Sequence, residues 1–473
     1  MQKVSKEKKL VINTIIIFIS KLCTQLLSIL LLPLVTSKLS TSDYGSFDLI
    51  TVYALFITAF MGLNIENGLF RYLIDVRKDE DEQKKIISSG IITMILVSVL
   101  FTVIYFSAWI IFRFNNVIYI YAFALSSLYF NMFLQISRGV GDNLNYAIAS
   151  IIVGVSNICL SILFLFKFNI GLFGLVYAGI ISYIFGSIYI FLKKRVYHFL
   201  SFNYFNKETS LKIVKYSTPL VPNNISSWIM NISDKIMLAF FINNSATGIY
   251  SISTKFPTLL SHVYGVFNLS WTESASVNVK DNSRDEFFSN VINKIFIICF
   301  CLCIVTLSAM AIIFKIMIDP SYKEAYYYVP ILIVASSFEI LSSLLGAVYI
   351  SLMKSKNIAL STTIAGLINI LINLILIPKI GILAACISTA VSYFILAIYR
   401  YINLKKDIII KLDFKRILLL YLLLVFLIII YYKNSIIISV GSVIISIIVS
   451  YFLNIDIINK SIKNICHKLK KCK

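Results

Sequence analysis

The sequence predicts an all-α, polytopic membrane protein with about 14 transmembrane helices. These form two six-helix lobes related by a pseudo-two-fold axis, plus two further helices at the C-terminal end. Three observations predict it. Of 473 residues, 59% are hydrophobic, only 14% are charged and just 7 are proline, a composition too apolar for an ordinary soluble enzyme. Apolar runs long enough to cross a hydrocarbon core of about 30 Å, which takes roughly 20 residues, recur along the whole chain. Two stretches also recur at a near-constant offset, in the same order in each half.

The spans are placed near residues 10–36, 46–70, 87–112, 116–137, 146–166, 172–192, 217–242, 246–271, 288–314, 329–353, 357–378, 381–404, 416–432 and 435–453. A membrane barrel would need alternating segments of about ten residues, whereas these runs are continuous and rich in Ile, Leu and Phe. No removable leader is expected, because the first run is longer than an h-region of roughly 7 to 15 residues and no small-residue cleavage site follows it.

Charge sets the orientation. The formal net charge is +21, and with the N-terminus inside, 32 of the 43 Lys and Arg residues fall in inner loops and tails or at the inner ends of the expected spans. Outer loops hold only Lys38, Arg113, Lys167, Lys315, Lys323, Lys379 and Lys433. This positive-inside bias places both ends on the cytoplasmic side of the cell's inner membrane and explains the basicity without nucleic acid. The tail after Asn454, with Lys460, Lys463, Lys468, Lys470, Lys471 and Lys473, reads as a topogenic and lipid-headgroup patch. Six of the 8 cysteines fall in spans and the other two, Cys466 and Cys472, in the inner tail, where no oxidising compartment would pair them. Cys466, His467 and Cys472 lack a fourth ligand for zinc, so no metal and no cofactor is expected.

The repeats set the domain organisation. GLFGLVYAGIISYIFGSIYIF, Gly171 to Phe191, aligns without gaps on GILAACISTAVSYFILAIYRY, Gly381 to Tyr401. YGSFDLIT, Tyr44 to Thr51, aligns on TGIYSIST, Thr247 to Thr254, pairing Gly45 with Gly248. Six spans per unit is an even number, so both copies enter the bilayer from the same side, as parallel repeats do. The expected divisions are an N-terminal lobe at 1–200, a C-terminal lobe at 201–405, an extra helix pair at 406–455 and a basic cytoplasmic tail at 456–473.

Polar residues inside the spans carry the functional reading. In WIMNISDKIML, Trp228 to Leu238, Asp234 and Lys235 are adjacent and point about 100° apart on a helix, so they cannot pair with each other and each needs its own partner. Asn224, Ser227, Asn231 and Asp234 share one face. Similar stripes run through Lys21, Gln25 and Ser28 in span 1, and through Ser127, Asn131, Gln135 and Arg138 in span 4. Span 8 has Ser251, Lys255, Thr258 and His262, and span 10 has Ser336, Glu339 and Ser343. In hydrocarbon such faces must meet protein or a wet cavity, and together they are expected to wall a net-basic chamber. Lys21 lies roughly 16 Å from the inner edge of span 1, near mid-membrane and beyond easy snorkelling. A basic chamber suits an anion. The candidate substrate-binding residues are Lys21, Lys255, Lys235, Arg138, Gln25 and Asn231. The candidate ion-coupling residues are Asp234, Glu339, Glu66 and Asp48. Bland roles compete with these, including Asp234 as a counter-ion to Lys255 or Lys21, and Glu66 with Arg71 closing the inner end of span 2.

The order of features resembles the oligosaccharide flippases of the polysaccharide-transporter branch, the Wzx-type O-antigen and capsule translocases. Their superfamily also holds multidrug and toxin extrusion antiporters and the lipid II flippase. The resemblance rests on LPLVTSKLSTSDYGSFDL (Leu32 to Leu49), GLFRY (Gly68 to Tyr72), SDKIMLAFFINNSATGIYSISTKF (Ser233 to Phe256) and LILIPKIGILAACIST (Leu374 to Thr389). It implies two lobes facing a central cavity, alternating access, and a polyprenyl-diphosphate-linked oligosaccharide as cargo. Membrane lipids, a polysaccharide polymerase and glycosyltransferases are the implied partners, with no bond made or broken. No P-loop and no paired catalytic carboxylates outside the bilayer are found, so direct use of ATP is not expected. Two other readings are a multidrug antiporter, which would prefer an acidic chamber, and a membrane-embedded glycosyltransferase or polymerase, which would carry acids on a sizeable outer loop.

The orientation is directly testable. Single cysteines at Asn206 and Asn244 in a Cys-free background should react with impermeant thiol reagents from opposite sides of the membrane. Labelling of both from one side would overturn the span count between them.

Overall fold

The computed structural model describes residues 16, 19–199, 201–433, 435–455 and 459; side chains at 222–231, 266, 269 and 355 are outside that set. Cys466, His467 and Cys472 therefore lie outside the described residues. No strand occurs among those described. The helices in chain order begin with α1 (Ile19–Thr36), α2 (Thr41–Gly62), α3 (Ile65–Asp75), α4 (Glu80–Phe112), α5 (Val117–Gly139) and α6 (Asn143–Ile162). Next come α7 (Leu172–Lys193), α8 (Val196–Phe199), α9 (Lys207–Ser217), α10 (Val221–Phe241) and α11 (Asn244–Asn278). The last are α12 (Arg284–Met317), α13 (Val329–Ser351), α14 (Ser355–Ile380), α15 (Ile382–Leu404), α16 (Phe414–Tyr431) and α17 (Ile436–Leu453).

Among the described residues, twelve helices are long and apolar enough to cross a membrane. The expected seventh and eighth spans are also long helices, α10 and α11, but they are not among the twelve. Their Asn, Ser, Asp and Lys residues lower the hydropathy, and in a bilayer such faces need protein or water beside them. Polar caps start many of the helices at their surface ends. Ser40 accepts from Asp43 N, Asp79 from Asp81 N and Glu82 N, Asp142 from Asn145 N, Asn206 from Thr209 N and Asp413 from Arg416 N.

Two expectations about local shape change. The apolar pattern predicts a continuous second span, but it breaks into α2 and α3 at Leu63 (φ 47°) and Asn64 (φ 56°), two successive non-glycine residues in the left-handed region. Pro219, Pro222 and Pro257 fall where a proline would bend spans 7 and 8, but Pro219 belongs to a short 3₁₀ turn and Pro222 sits in the first turn of α10, where its missing N–H costs no helical bond. Only Pro257 lies inside its helix, α11.

The chain divides into two compact units, Met1–Gly248 and Ile249–Lys473. In the first, α5 packs against α2, α3 and α7, and Met61, Leu69, Met94, Leu128 and Met132 are buried among them. Small residues permit the close approach: Gly90 lies against Leu69, Gly139 against Leu73 and Gly179 against Phe123. The opposite face of α4 keeps Leu100, Ile110, Ile111 and Phe112 exposed, as a lipid-facing surface does. In the second unit α15 packs on α13 and α14, and α17 packs on α12. Trp271 on α11 is buried and donates to Leu344 O at 3.0 Å. The turn before α13, Pro320–Tyr328, is tied to the end of α16 by Tyr326 and Tyr431. Each hydroxyl donates to the other's carbonyl, at 2.9 and 2.6 Å, and their rings stack at 4.0 Å.

Within the first unit, the two glycines paired by the repeat meet. A Cβ added at Gly45 would stand 1.8 Å from Asn244 O, and one at Gly248 would stand 2.0 Å from Thr41 O. Thr41 Oγ1 and Ser245 Oγ share a hydrogen bond of 2.6 Å, and Asn244 Nδ2 donates to Ser46 Oγ at 2.8 Å. Here only backbone fits against backbone. Gly45→Ala and Gly248→Ala should each cost about 1–3 kcal/mol through overpacking. By contrast, Gly441→Ala, where nothing lies within 4 Å, should leave the thermal midpoint in detergent unchanged. Equal midpoints for all three variants would show that the seam is loose.

Candidate substrate and coupling residues

Lys235 finds its partner across the helix pair α2 and α10. Its Nζ lies 2.7 Å from Asp48 Oδ2, with side chains 18% and 10% exposed. The structure thus joins two residues assigned different roles, Lys235 to substrate and Asp48 to coupling. Close by, Thr247 Oγ1 donates to Lys235 O at 3.1 Å, so the pair sits beside the seam built around Gly45 and Gly248. Asp234 points elsewhere, as the 100° step requires, and is 3% exposed. The side chains of Asn224, Ser227 and Asn231, which complete the expected stripe, are outside the described residues.

Two cations of the first unit, Lys21 and Arg138, form a second group. Lys21 on α1 is exposed, with partly buried Gln25 one turn further along the same face. Arg138, near the end of α5, lies within electrostatic reach of Lys21 and holds its guanidinium over the Phe70 ring at 4.4 Å. Neither joins any ion pair among the described residues. Two like charges with no carboxylate between them leave a local positive field.

Glu66 stands in the first turn of α3, just after the break at Leu63 and Asn64. Its Oε1 accepts a long bond of 3.4 Å from Asn67, while Oε2 is buried without a hydrogen-bond partner. The expected Glu66 and Arg71 closure is not formed. Arg71 pairs instead with Asp75 at 2.8 Å, its neighbour at i,i+4, whereas a residue five positions away lies about 140° round the helix.

In the second unit Lys255 is partly buried and makes no hydrogen bond or ion pair with a described residue. Glu339 on α13 accepts from Ser261 Oγ at 2.6 Å. Tyr264, one turn beyond Ser261, lies within electrostatic reach of both Glu339 and Arg400 and donates to Asn268 Oδ1 at 2.9 Å.

Arg400 is the residue that sequence reasoning misses, because it counts there among the inner charges. It is 5% exposed on α15. Its Nε donates to Ser361 Oγ at 3.1 Å, Nη1 to Ser342 O at 2.9 Å and Nη2 to Thr362 Oγ1 at 2.8 Å. Gly346 makes room for it, since a Cβ there would stand 2.8 Å from Nη1. The signal is present in the chain: Arg400 falls inside the apolar run 381–404. A chain of buried amides is missed as well, in which Asn373 Nδ2 donates to Asn369 Oδ1 and Asn369 Nδ2 to Ser388 Oγ, both at 3.2 Å. Asn369 and Asn373, at i,i+4 in an apolar span, are its sign.

Comparisons with known proteins fit this architecture. A family model described as "Polysaccharide biosynthesis protein" matches residues 10–272. A comparison with curated proteins gives no match. Among solved structures, the lipid II flippase MurJ in an inward closed conformation superposes with a TM-score of 0.66 at 16% identity, covering 95% of this chain and 100% of that one. An inward-facing multidrug resistance MATE family transporter of the MOP superfamily gives 0.64 at 13% identity, covering 81% and 96%. A mutant of the Vibrio cholerae MATE transporter VcmN gives 0.57 at 15% identity, covering 85% and 97%. At such identities the likeness establishes the fold, that of polytopic transporters and flippases.

The Asp48 and Lys235 pair has a measurable consequence. Asp48→Asn or Lys235→Met alone strands a largely buried charge and should destabilise by about 3–5 kcal/mol. The double variant should recover much of that, read from thermal unfolding in detergent. Additive losses would mean that the two charges do not couple.

Proposed function

Because this chain belongs to the polysaccharide biosynthesis protein family, we propose that it is a flippase. Its cargo is a polyprenyl-diphosphate-linked oligosaccharide, carried across the cytoplasmic membrane for surface polysaccharide synthesis, O-antigen or capsule, by alternating access. The termini lie in the cytoplasm. A polysaccharide polymerase and glycosyltransferases act on either side of the transport step.

One observation carries the reading: Lys21 and Arg138 are placed within electrostatic reach of each other with no carboxylate paired to either among the described residues. A lysine deep in a bilayer costs about 2.5–3.5 kcal/mol on insertion scales, and a second cation nearby adds to the cost. Such a pair asks for an anion. The diphosphate of a lipid-linked sugar supplies one, and charge-assisted hydrogen bonds from ammonium and guanidinium hold it, while Gln25 faces the sugars. Lys255 is a further cation for the substrate, in the second unit. Lys235, held by Asp48, becomes available to substrate only when that pair opens. Glu66, with its buried unpartnered oxygen, and Glu339, held by Ser261, are carboxyls placed to exchange a proton or cation as the protein changes state, with Asp234 as a third. The fold is one that a lipid II flippase, MurJ, also has, and it accommodates a lipid-linked cargo.

The test is export in a flippase-deleted host, scored as surface polysaccharide beside the amount of membrane-inserted protein. Lys21→Arg should retain much of the export, whereas Lys21→Ala and Lys21→Gln should lose most of it at normal protein level. Full export by a normally expressed Lys21→Ala variant would refute the role.

A further inference from the structure

The inner face of the first unit carries a cavity of about 440 Å³ that the transport reading does not use. Three chain segments build it: the turn after α3 with the first turns of α4, the end of α5 with Val140, and the stretch from the end of α7 through α8. All three follow even-numbered spans, so the charge bias places them together on the cytoplasmic side. Five cations line it, Arg77, Lys78, Lys193, Lys194 and Arg195, against one carboxylate, Glu80. Its floor is apolar, with Ile87, Ile136 and Val196 each 1% exposed.

Two of the cations are already occupied. Arg77 Nε donates to Gly139 O at 2.8 Å and Nη2 to Arg138 O at 3.2 Å, which fixes the guanidinium over the end of α5. Lys194 pairs with Asp142, the N-cap of α6. The other three, Lys78, Lys193 and Arg195, are exposed and make no side-chain hydrogen bond or ion pair with a described residue. Arg195 adopts φ 49°, a left-handed turn that ends α7 and lets three consecutive basic residues line one cavity.

From this arrangement we infer that the cavity binds the phosphate headgroup of an anionic phospholipid of the inner leaflet. The chemistry has two parts. Three free cations beside two fixed ones provide point charges and a guanidinium for phosphate oxygens. Val140 and Phe199, the apolar lining residues that stay partly exposed above this floor, receive the glycerol and the first methylenes of the acyl chains, which a free phosphate ion lacks. Many basic residues of the inner loops serve orientation alone; these are distinguished by converging on one concave, apolar-floored space. None of Lys21, Arg138 and the coupling carboxyls lines the cavity, though Arg77 holds the Arg138 carbonyl beside it, and the test does not use transport.

The experiment follows the thermal midpoint of the full-length protein in neutral detergent at fixed ionic strength. Phosphatidylglycerol, phosphatidylcholine and inorganic phosphate are each titrated. Phosphatidylglycerol should stabilise at concentrations where the other two do not. Replacing Lys78, Lys193 and Arg195 together by Gln should raise the concentration needed for half the effect by roughly a hundredfold, and Lys193→Gln alone by about fivefold. A second triple variant, Lys280→Gln, Lys406→Gln and Lys411→Gln, removes the same charge from the other unit and should behave as the parent. Equal weakening in both triple variants would reduce the effect to overall charge and overturn the site. Stabilisation by inorganic phosphate or phosphatidylcholine at the same concentrations would overturn the assignment to an anionic lipid.

Discussion

A charge inside hydrocarbon must be paired, hydrogen-bonded or wetted, and the arrangement of this chain follows from that cost. The deep ionisable residues meet it in different ways. Lys235 and Asp48 neutralise each other. Arg400 has three neutral acceptors and a glycine that yields space to it. Glu339 accepts a short bond from Ser261. Lys21 and Arg138 stand apart, because they sit near each other without a carboxylate and so keep an unbalanced positive field. Against a background of charges that are satisfied within the protein, this imbalance is the feature that calls for a ligand.

Helix packing positions these groups. Where backbones must approach, glycine is present: Gly45 and Gly248 touch along the α2 and α11 ends, and the Asp48 and Lys235 pair lies beside them. Where the chain turns sharply without glycine, at Leu63 and Asn64, it carries non-glycine residues in the left-handed region, and Glu66 follows within the next turn. Such geometry is unfavourable by about 1–3 kcal/mol per residue and persists only when the surrounding packing holds it. The buried core of Met61, Leu69 and Met94 around this break supplies that packing.

Basic residues in this chain do two kinds of work. On the proposed orientation, most of the inner ones fix topology through the bilayer's charge asymmetry, a property of the number and side of the charges rather than their mutual geometry. Those around the cavity after α3, α5 and α7 are also brought together in space, over an apolar floor. Spacing along the chain does not separate these cases, since Lys78 and Lys193 are more than a hundred residues apart.

Local composition was enough to establish the class of protein, the approximate number of its spans and the residues that cannot sit idle in lipid. About 20 apolar residues suffice to cross a bilayer, and a lone Lys or Asp among them is costly wherever the helix packs. Helical periodicity also showed that Asp234 and Lys235 need separate partners. The partners themselves were a matter of tertiary structure. That Lys235 meets Asp48, that Arg71 turns to Asp75 rather than Glu66, that Arg400 is enclosed by Ser342, Ser361 and Thr362, and that three loops share one basic cavity all depend on which helix faces lie together. A helix pattern fixes which face a residue occupies but not which helix that face will meet, and in a bilayer, where every helix is apolar, hydrophobicity does not choose the neighbour. Small residues and polar contacts do, and they act between positions far apart in the chain.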